Sequence, residues 1–230
     1  FYQPVINLQG ETDPMYEAYI RLDVGSGEME PPLSFQQVAE EHGLLGEIDR
    51  WVAGRAIQVL AEQQQAGKPI TMLIKVTQAS LGDDSLAKFV GERLAEAGVP
   101  GERLVLQLPE SKVFTHLRPA QEFAAAIAAH GCRVGLEQFG IGLDPFQLLS
   151  HFDPAFVKLD RSFSEDLAKN QGNQQRVVEI AEKARSLGIR SIAPCVEDAS
   201  TMATLFTAGI DYVEGHFLAP PGPDLNYDFE

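Results

Sequence analysis

The sequence predicts a single α/β domain, a modified TIM-like (β/α)8 barrel whose first two strands are antiparallel. A length of 230 residues suits one such barrel. Short apolar and β-branched runs alternate with amphipathic stretches almost throughout, as expected where parallel strands are buried on both faces. The first connection, NLQGETDPM, is too short for a crossover helix, so the strands that it joins should be antiparallel.

Eight segments have the composition of strands, because they are rich in apolar or β-branched residues and are bounded by turn residues. In chain order they are FYQPVINL, YEAYIRLDV, TMLIKVT, RLVLQLP, RVGLEQF, AFVKLD, SIAPCV and YVEGHFL. No stretch between them has the composition of an interdomain linker. We therefore expect residues 1–230 to form one domain, and the start directly on a strand indicates a domain cut from a longer protein.

Five segments have helical period and close on a glycine, a common C-terminal stop. They are Leu44–Ala66 before Gly67, Asp83–Gly98, Pro119–Gly131, Gln174–Gly188 and Ala199–Gly209. In the first of them one apolar stripe is expected to face the strands; it comprises Leu44, Leu45, Ile48, Trp51, Val52, Ile57 and Leu60. Before it, Ser34 is the expected N-cap of a helix that follows a polar loop.

The composition argues against several classes of function. A net charge of −15 leaves no broad basic surface for a nucleic acid polymer, although an anionic small ligand needs only a local group of Lys or Arg. No apolar run approaches the ~18 residues of a membrane span, so membrane insertion is not expected. Cys132 and Cys195 lack metal-binding spacing, and we expect both to be reduced, in the cytoplasm.

Seven sequence blocks resemble, in order and in spacing, those of the EAL family of cyclic di-GMP phosphodiesterases and the receptors derived from them. They are YQPVINL, YEAYIR, VAEEHGLLGEIDRWV, FGIG, FVKLDRSF, GIRSIAPCVED and EGHFLAPP. The resemblance extends over essentially the whole chain and implies working residues at the C-terminal ends of strands. It also implies that active members linearise cyclic di-GMP with two divalent cations, which hold the attacking water and stabilise the phosphate.

The first metal-binding positions that the resemblance implies depart from the family pattern. Hard cations prefer carboxylate oxygens. Glu17 keeps the carboxylate of the family's name motif, whereas the family's Asn is Lys75 and its next Glu is Gln107. An ammonium group at position 75 would occupy space and charge that a metal otherwise fills. We therefore expect Lys75 to neutralise Glu17 or Glu137.

The remaining metal-binding positions are changed too. The stretch VGLEQFGIG keeps a turn that shapes the barrel mouth, but it has Glu137 and Gln138 where the family has two Asp. Pro194 replaces a further Glu, the family's Gln is Glu214, and Lys158 is retained. Two divalent cations would meet too little negative charge here. We therefore expect no metal cofactor and no catalysis.

Positions that contact the nucleotide, as the resemblance implies, are better preserved. Gln3 and Asp49 should meet base edges, and the planar fork of Arg21 should bind a phosphate. Tyr19 stands where the name motif has Leu, and both it and Phe217 are candidates for stacking on a guanine. Three further residues should complete the wall of the site, namely Ile20, Pro32 and Glu197.

These departures favour a catalytically inactive receptor that binds cyclic di-GMP without a metal, of the FimX type that controls type IV pili and twitching motility. By the same resemblance, the expected protein partner is a PilZ-family adaptor, and the parent would be a multidomain signalling protein. Two alternatives stay open. One is an active phosphodiesterase with rearranged ligands, since Glu17, Glu137, Glu214 and Lys158 survive; the other is a protein–protein scaffold that binds no nucleotide.

Overall fold

The computed structural model describes residues 1–10 and 13–229, and its centre is a closed eight-stranded barrel, as the sequence predicts. In spatial order the barrel strands are β1 (Tyr2–Asn7), β10 (Tyr212–Val213), β9 (Arg190–Ala193), β8 (Phe156–Leu159), β7 (Arg133–Phe139), β6 (Leu104–Pro109), β5 (Thr71–Lys75) and β2 (Met15–Ala18). A separate hairpin pairs β3 (Leu22–Asp23) with β4 (Met29–Glu30).

Strand β1 runs antiparallel to both of its neighbours. Its pairing with β2 confirms the prediction from the short connection, and its pairing with β10 closes the barrel. The other neighbouring barrel strands of the described residues are parallel. The carboxyl ends of these strands therefore meet at one mouth, together with the amino end of β1.

Three predicted strands are shorter than their sequence patterns indicate. YEAYIRLDV was expected to be continuous, but β2 ends at Ala18, and the chain joins the separate hairpin only at Leu22. SIAPCV ends as a strand at Ala193, because Pro194 has no N–H to donate to a ladder. YVEGHFL contributes only β10, since the backbone beyond it turns to hydrogen-bond with Ala193 and Val196.

Helices cover the outside of the barrel. Those of the described residues are α1 (Pro32–Glu41), α2 (Leu45–Gln65), α3 (Ser85–Ala97), α4 (Glu110–Thr115), α5 (Leu117–Ala128), α6 (Pro145–Leu148), α7 (Gln171–Ser186) and α8 (Ala199–Ala208). The five predicted helical segments correspond to α2, α3, α5, α7 and α8. Two of the predicted stops, Gly98 and Gly209, cap their helices in the left-handed conformation that glycine adopts readily. No helix of the described residues is long and apolar enough to cross a membrane.

Two local predictions about the helices are wrong. Ser34 does not cap α1, which begins two residues earlier at Pro32 because proline is favoured in a first helical turn; the Ser34 hydroxyl donates to the Pro31 carbonyl instead. Two members of the predicted apolar stripe do not face the strands: Leu44 is 43% exposed, and the surface of Trp51 is 62% exposed. Nine residues separate it from the buried Leu60, which places the two about 180° apart around the helix.

The interior of the barrel contains an apolar layer below the mouth. One cluster of buried side chains, contributed by seven strands, forms it; its members are Val5, Met15, Leu73, Val105, Phe156, Ile192 and Tyr212. The remaining strand, β7, has Gly135 at this level, where an added Cβ would lie 3.5 Å from the Gln107 and Phe156 side chains. This floor closes the barrel from below, so the polar residues above it are accessible only from the mouth.

Candidate functional site

A polar layer lies directly above the apolar floor of the barrel. Two residues from the floor level, every strand except β9 has a polar residue, and because side chains alternate along a strand, the floor and layer residues both point inward; β9 has Pro194 at this position. On β1, which runs the other way, the polar residue precedes its floor residue. The layer consists of Gln3, Glu17, Lys75, Gln107, Glu137, Lys158 and Glu214. The structure thus brings together all of the degenerate metal-site positions named from the sequence, Gln138 included at the rim.

Lys158 lies between two buried carboxylates. Its ammonium contacts Glu17 Oε2 and is 2.9 Å from Glu214 Oε1. All three side chains are almost excluded from solvent. Burial lowers the pKa of Lys158, and the negative charge of Glu214 opposes this shift. Isolated charges would be costly at this depth, so each of these ions depends on its neighbours.

Lys75 holds the other side of the network. Its Nζ is 2.7 Å from Glu137 Oε2 and 3.9 Å from Glu17 Oε1. Burial lowers the pKa of Lys75, but the attraction and hydrogen bond of Glu137 outweigh it, so the pKa is raised and the group is cationic at neutral pH. Gln107 Nε2 donates to Glu17 Oε1 over 3.3 Å. Each of the three carboxylates in the layer therefore contacts an ammonium group.

This donor set does not fit a pair of divalent cations. Each carboxylate that would bind them already contacts Lys75 or Lys158 through at least one oxygen, and two of the positions carry amides, Gln107 and Gln138. Among the described residues, no group of three or more His, Cys, Asp or Glu is arranged to hold a metal ion. The ammonium groups supply the positive charge that the carboxylates require.

A bulge in β7 turns two consecutive residues toward the mouth. The pairing of β7 with β8 shifts register between Leu136 and Phe139, and Gln138 has φ +52°. In a regular strand Glu137 and Gln138 would point to opposite faces, but here both line the mouth cavities. Gly140 and Gly142, which follow, donate their backbone N–H groups to Glu110. The turn VGLEQFGIG is therefore fixed by the first residue of α4.

Two cavities open at the mouth and share a wall. The larger cavity has a volume of about 530 Å³ and includes Ile20, Arg21, Pro32 and Asp49 among its lining residues. The smaller cavity, about 280 Å³, includes Gln3, Glu197 and Cys195. Four residues line both, namely Tyr19, Lys75, Glu137 and Gln138. The two lobes are therefore separated by residues of the ion network and its rim.

Asp49 is a buried carboxylate at the wall of the larger cavity. Its Oδ2 accepts hydrogen bonds from the Thr77 N–H (3.0 Å), the Thr77 hydroxyl (2.8 Å) and the Ser80 hydroxyl (2.7 Å). Burial raises the pKa of Asp49, and these three hydrogen bonds only partly oppose the shift. Its side chain is thus held in one orientation by α2 and by the segment that follows β5.

Arg21 and Tyr19 form an aromatic and cationic edge of the site. The guanidinium carbon of Arg21 lies 5.7 Å from the centroid of the Tyr19 ring and 5.5 Å from that of Phe1, and Arg21 Nη1 donates to the Ile20 carbonyl over 2.8 Å. The Tyr19 hydroxyl donates to Glu214 Oε1 over 3.4 Å. Burial, followed by the charge of Glu214, raises the pKa of Tyr19, which keeps the phenol neutral.

The other predicted contact residues are placed unevenly. Gln3 lines the smaller cavity, but its amide Nε2 already donates to the Ala219 carbonyl over 2.9 Å. Glu197 is exposed at the same cavity. Phe217 is 47% exposed and is not among the described residues that line either mouth cavity. Its stacking role stays a prediction.

Several residues that line the mouth were not singled out from the sequence. Arg161 and His216 line the smaller cavity, and Ser111 and Lys112 line the larger one. Each lies two or three residues beyond a strand end, in the segments that form the working face of such barrels, and Ser111 and Lys112 belong to α4. Position just after a strand end was thus the available signal. Asp160, directly after β8, also lines the smaller cavity and accepts a hydrogen bond from the Ser162 N–H.

Several solved structures resemble the chain over its whole length. The FimX EAL domain of Xanthomonas citri, solved in complex with cyclic di-GMP, is 52% identical with a TM-score of 0.94, and the match covers 100% of this chain and 89% of that one. The FimX EAL domain of Pseudomonas aeruginosa, bound to cyclic di-GMP, is 35% identical with the same TM-score over 100% and 92%. The phosphodiesterase PaMucR, at 22% identity and a TM-score of 0.86, shares the fold.

Curated relatives match with lower identity. An uncharacterised signalling protein of Caulobacter vibrioides is 30% identical over 96% of this chain and 27% of its own length. The cyclic di-GMP phosphodiesterase PdeF of Escherichia coli is 27% identical over 96% and 29%. The chain thus spans roughly three tenths of the length of such relatives. The family model for the EAL domain matches residues 1–221, and the chain belongs to the EAL family.

Proposed function

We propose that this EAL domain is a receptor for cyclic di-GMP that binds the nucleotide without a metal ion and does not hydrolyse it. The observation that carries the proposal is the contact of Lys75 and Lys158 with all three carboxylates of the polar layer. The likeness to FimX EAL domains that bind cyclic di-GMP supports the choice of ligand.

The two lobes of the mouth suit the two halves of a cyclic dinucleotide. In the larger lobe, Arg21 binds a phosphate and Asp49 accepts hydrogen bonds from a base edge, while Ile20 and Pro32 supply apolar wall. Tyr19 borders both lobes and stacks on a guanine. In the smaller lobe, Gln3 and Glu197 face the second half of the ligand. Phe217, which follows the lining residue His216 in the chain, is the proposed second stacking residue.

The second candidate function is cyclic di-GMP hydrolysis. Its support is that curated relatives such as PdeF and PdeR of Escherichia coli are cyclic di-GMP phosphodiesterases, and that Glu17, Glu137, Glu214 and Lys158 persist. Incubation of the domain with cyclic di-GMP and Mg²⁺ or Mn²⁺, followed by chromatography of the nucleotide, separates the two candidates. If the domain is a receptor, the cyclic nucleotide stays intact. Steady formation of linear product would show that the domain is an active phosphodiesterase.

A thermal-unfolding scan separates the receptor from a scaffold that binds no nucleotide. Because a ligand that binds only the folded state stabilises it, cyclic di-GMP should raise the melting temperature in the presence of a chelator. An unchanged melting temperature at saturating nucleotide would favour the scaffold. The comparison needs no metal and no partner.

We further propose that the bound state is passed to a protein partner, a PilZ-family adaptor, in the control of type IV pili and motility. The likeness to FimX EAL domains supports this assignment. Both cysteines are unpaired, which suits the reducing cytoplasm as the site of action. Size-exclusion chromatography with a purified PilZ adaptor tests the partner: co-elution that depends on cyclic di-GMP is expected, and separate elution with and without nucleotide would contradict it.

A further inference from the structure

A groove between α2 and α3, outside the two mouth cavities, carries a local concentration of arginine. We call it the α2–α3 groove; its volume is about 440 Å³, and the residues that matter here are Arg50, Trp51, Gly54, Arg55, Phe89 and Arg93. The chain as a whole has a net charge of −15. The lining carries three arginines against the single carboxylate of Glu47, and this excess of positive charge makes it a basic patch on an acidic protein; the glutamates that pair with two of these arginines lie outside the lining.

The floor of the groove is built by a close contact between the two helices. A Cβ added at Gly54 of α2 would meet the Phe89 ring of α3 at 3.3 Å, so glycine lets the ring pack against α2. The guanidinium carbon of Arg50 lies 4.1 Å from the centroid of that ring. Among the described residues Arg50 forms no ion pair. A guanidinium stacked on an aromatic face keeps its N–H edge available for a carboxylate.

The other two arginines are held only weakly by their own chain. Arg55 Nη1 lies 3.7 Å from Glu62, and Arg93 Nη1 lies 3.0 Å from Glu96, with all four side chains substantially exposed. Exposed ion pairs of this kind contribute little to stability, because water screens both charges. A carboxylate from another molecule can therefore replace Glu62 or Glu96 at little cost.

Trp51 supplies the apolar part of the surface. It is the only tryptophan in the chain, and it is 62% exposed on a rigid helix of 21 residues. Tryptophan and arginine are the residues most enriched where binding energy concentrates in protein interfaces. Trp51 and Arg55 also line a cavity of about 220 Å³ that includes Tyr19 and Arg21, so the groove adjoins the edge of the nucleotide site.

We propose that the α2–α3 groove is a docking site for an acidic segment of a partner protein. Carboxylates of the segment pair with Arg50, Arg55 and Arg93, and an apolar side chain of the segment packs on Trp51. Charge complementarity carries the choice of occupant, because the basic patch would attract an acidic segment from solution. The proposal does not depend on nucleotide binding.

Because Trp51 is the single tryptophan of the chain, its fluorescence reports on the groove alone. The probe is a synthetic peptide of alternating Glu and Leu, with Gln/Leu and Lys/Leu peptides of equal length as controls, and the intrinsic fluorescence of Trp51 is followed without cyclic di-GMP. Only the Glu/Leu peptide should produce a saturable shift of the emission to shorter wavelength. An equal shift with the Gln/Leu peptide, or none with the Glu/Leu peptide, would overturn the proposal.

Charge-reversal variants test the named residues. The double variant Arg50→Glu, Arg93→Glu should bind the Glu/Leu peptide about tenfold or more weakly than the parent, since both attractions become repulsions. The matched control, Arg118→Glu with Lys183→Glu, makes the same charge change at exposed sites on α5 and α7 and should retain affinity. Equal loss in both variants would overturn the proposal, because the attraction would then follow net charge alone.

Two other occupants give distinct results. A shift of Trp51 emission by vesicles of anionic phospholipid, with none by the peptide, would make the groove a membrane surface. Sedimentation that shows a dimer in the parent, and a monomer in the Arg50→Glu, Arg93→Glu variant, would make it a contact between two copies. Either result would overturn the proposal that an acidic segment of a partner protein occupies the groove.

Discussion

Lys75 Nζ lies 2.7 Å from Glu137 Oε2 and 3.9 Å from Glu17 Oε1, so one ammonium group bridges two carboxylates at the barrel mouth. In the active members that the chain resembles, a divalent cation would be expected between such carboxylates. The side chain is anchored at the last residue of β5, which directs it into this position. In the receptor that we propose, this ammonium group supplies charge that a metal ion would supply in an active enzyme.

Removal of this ammonium group should create metal affinity. We expect the triple variant Lys75→Asn, Gln107→Glu, Gln138→Asp to bind Mn²⁺ at least about tenfold more tightly than the parent, because it exchanges a repelling cation for two carboxylates. Calorimetric titration with Mn²⁺ measures the difference. The matched control replaces Lys75→Asn by Lys88→Asn, at an exposed residue of α3. Tight Mn²⁺ binding by the parent or by the control would show that Lys75 does not block the site.

Lys158 should be essential to stability. Lys158→Met leaves Glu17 and Glu214 buried without their shared cation, which should lower the free energy of unfolding by about 3–5 kcal/mol. Adding Glu214→Gln removes one of the two charges and should restore part of the loss. Denaturant unfolding of both variants, with the exposed Lys169→Met as control, gives the comparison. A loss below about 1 kcal/mol would mean that water already reaches these charges.

Arg21 should contribute to ligand binding through charge-assisted hydrogen bonds. Arg21→Ala is expected to weaken the binding of cyclic di-GMP by roughly 1.5–3 kcal/mol, which is about 10- to 150-fold in Kd. Arg118→Ala, which removes an equal charge from the exposed surface of α5, should leave Kd unchanged. Isothermal titration measures both variants. Parent-like affinity in Arg21→Ala would remove Arg21 from the phosphate site.

Ionisation of the buried Asp49 carboxyl should lower the stability of the folded state as the pH rises. Burial raises the pKa of Asp49 above its ordinary value of 3.8, so the folded state holds this proton more tightly than the unfolded state. Well below pH 3.8 the carboxyl is protonated in both states and does not reduce the free energy of unfolding. As the pH rises, ionisation reduces this free energy more and more, until the pH passes the folded-state pKa. Asp49→Asn should gain stability relative to the parent across this interval and then keep a constant gain. Denaturant unfolding between about pH 3 and pH 8 measures the difference, and Glu182→Gln on the exposed face of α7 is the control. A gain that shrinks with rising pH would reverse the assignment.

The barrel was predictable because its signals are local. Alternating strand and helix patterns, with glycine stops such as Gly98 and Gly209, give the α/β alternation. The short first connection gives the antiparallel pair. Trp51 was misplaced for a physical reason: an apolar residue was assumed to be buried, although α2 fills its inner face with small residues such as Ala53 and Ala56. Periodicity alone does not show which apolar residue a helix leaves to solvent.

The site was predictable in its members but not in its contacts. Strand-end positions and family blocks identify Glu17, Lys75 and Lys158, and the expected pairing of Lys75 with a carboxylate is observed. The β7 bulge, which turns Gln138 to the mouth, depends on a register shift in the pairing of β7 with β8. The hydrogen bond that occupies the Gln3 amide joins residues 216 positions apart. Neither has a local sequence signal, since both require the closed barrel.

The most direct test of metal-independent recognition is calorimetric titration of this domain with cyclic di-GMP, once with EDTA and once with Mg²⁺. Because Lys75 and Lys158 neutralise the carboxylates of the mouth, the predicted result is saturable binding with the same Kd in both. Binding that appears only with Mg²⁺, or continuing heat from turnover, would contradict the account.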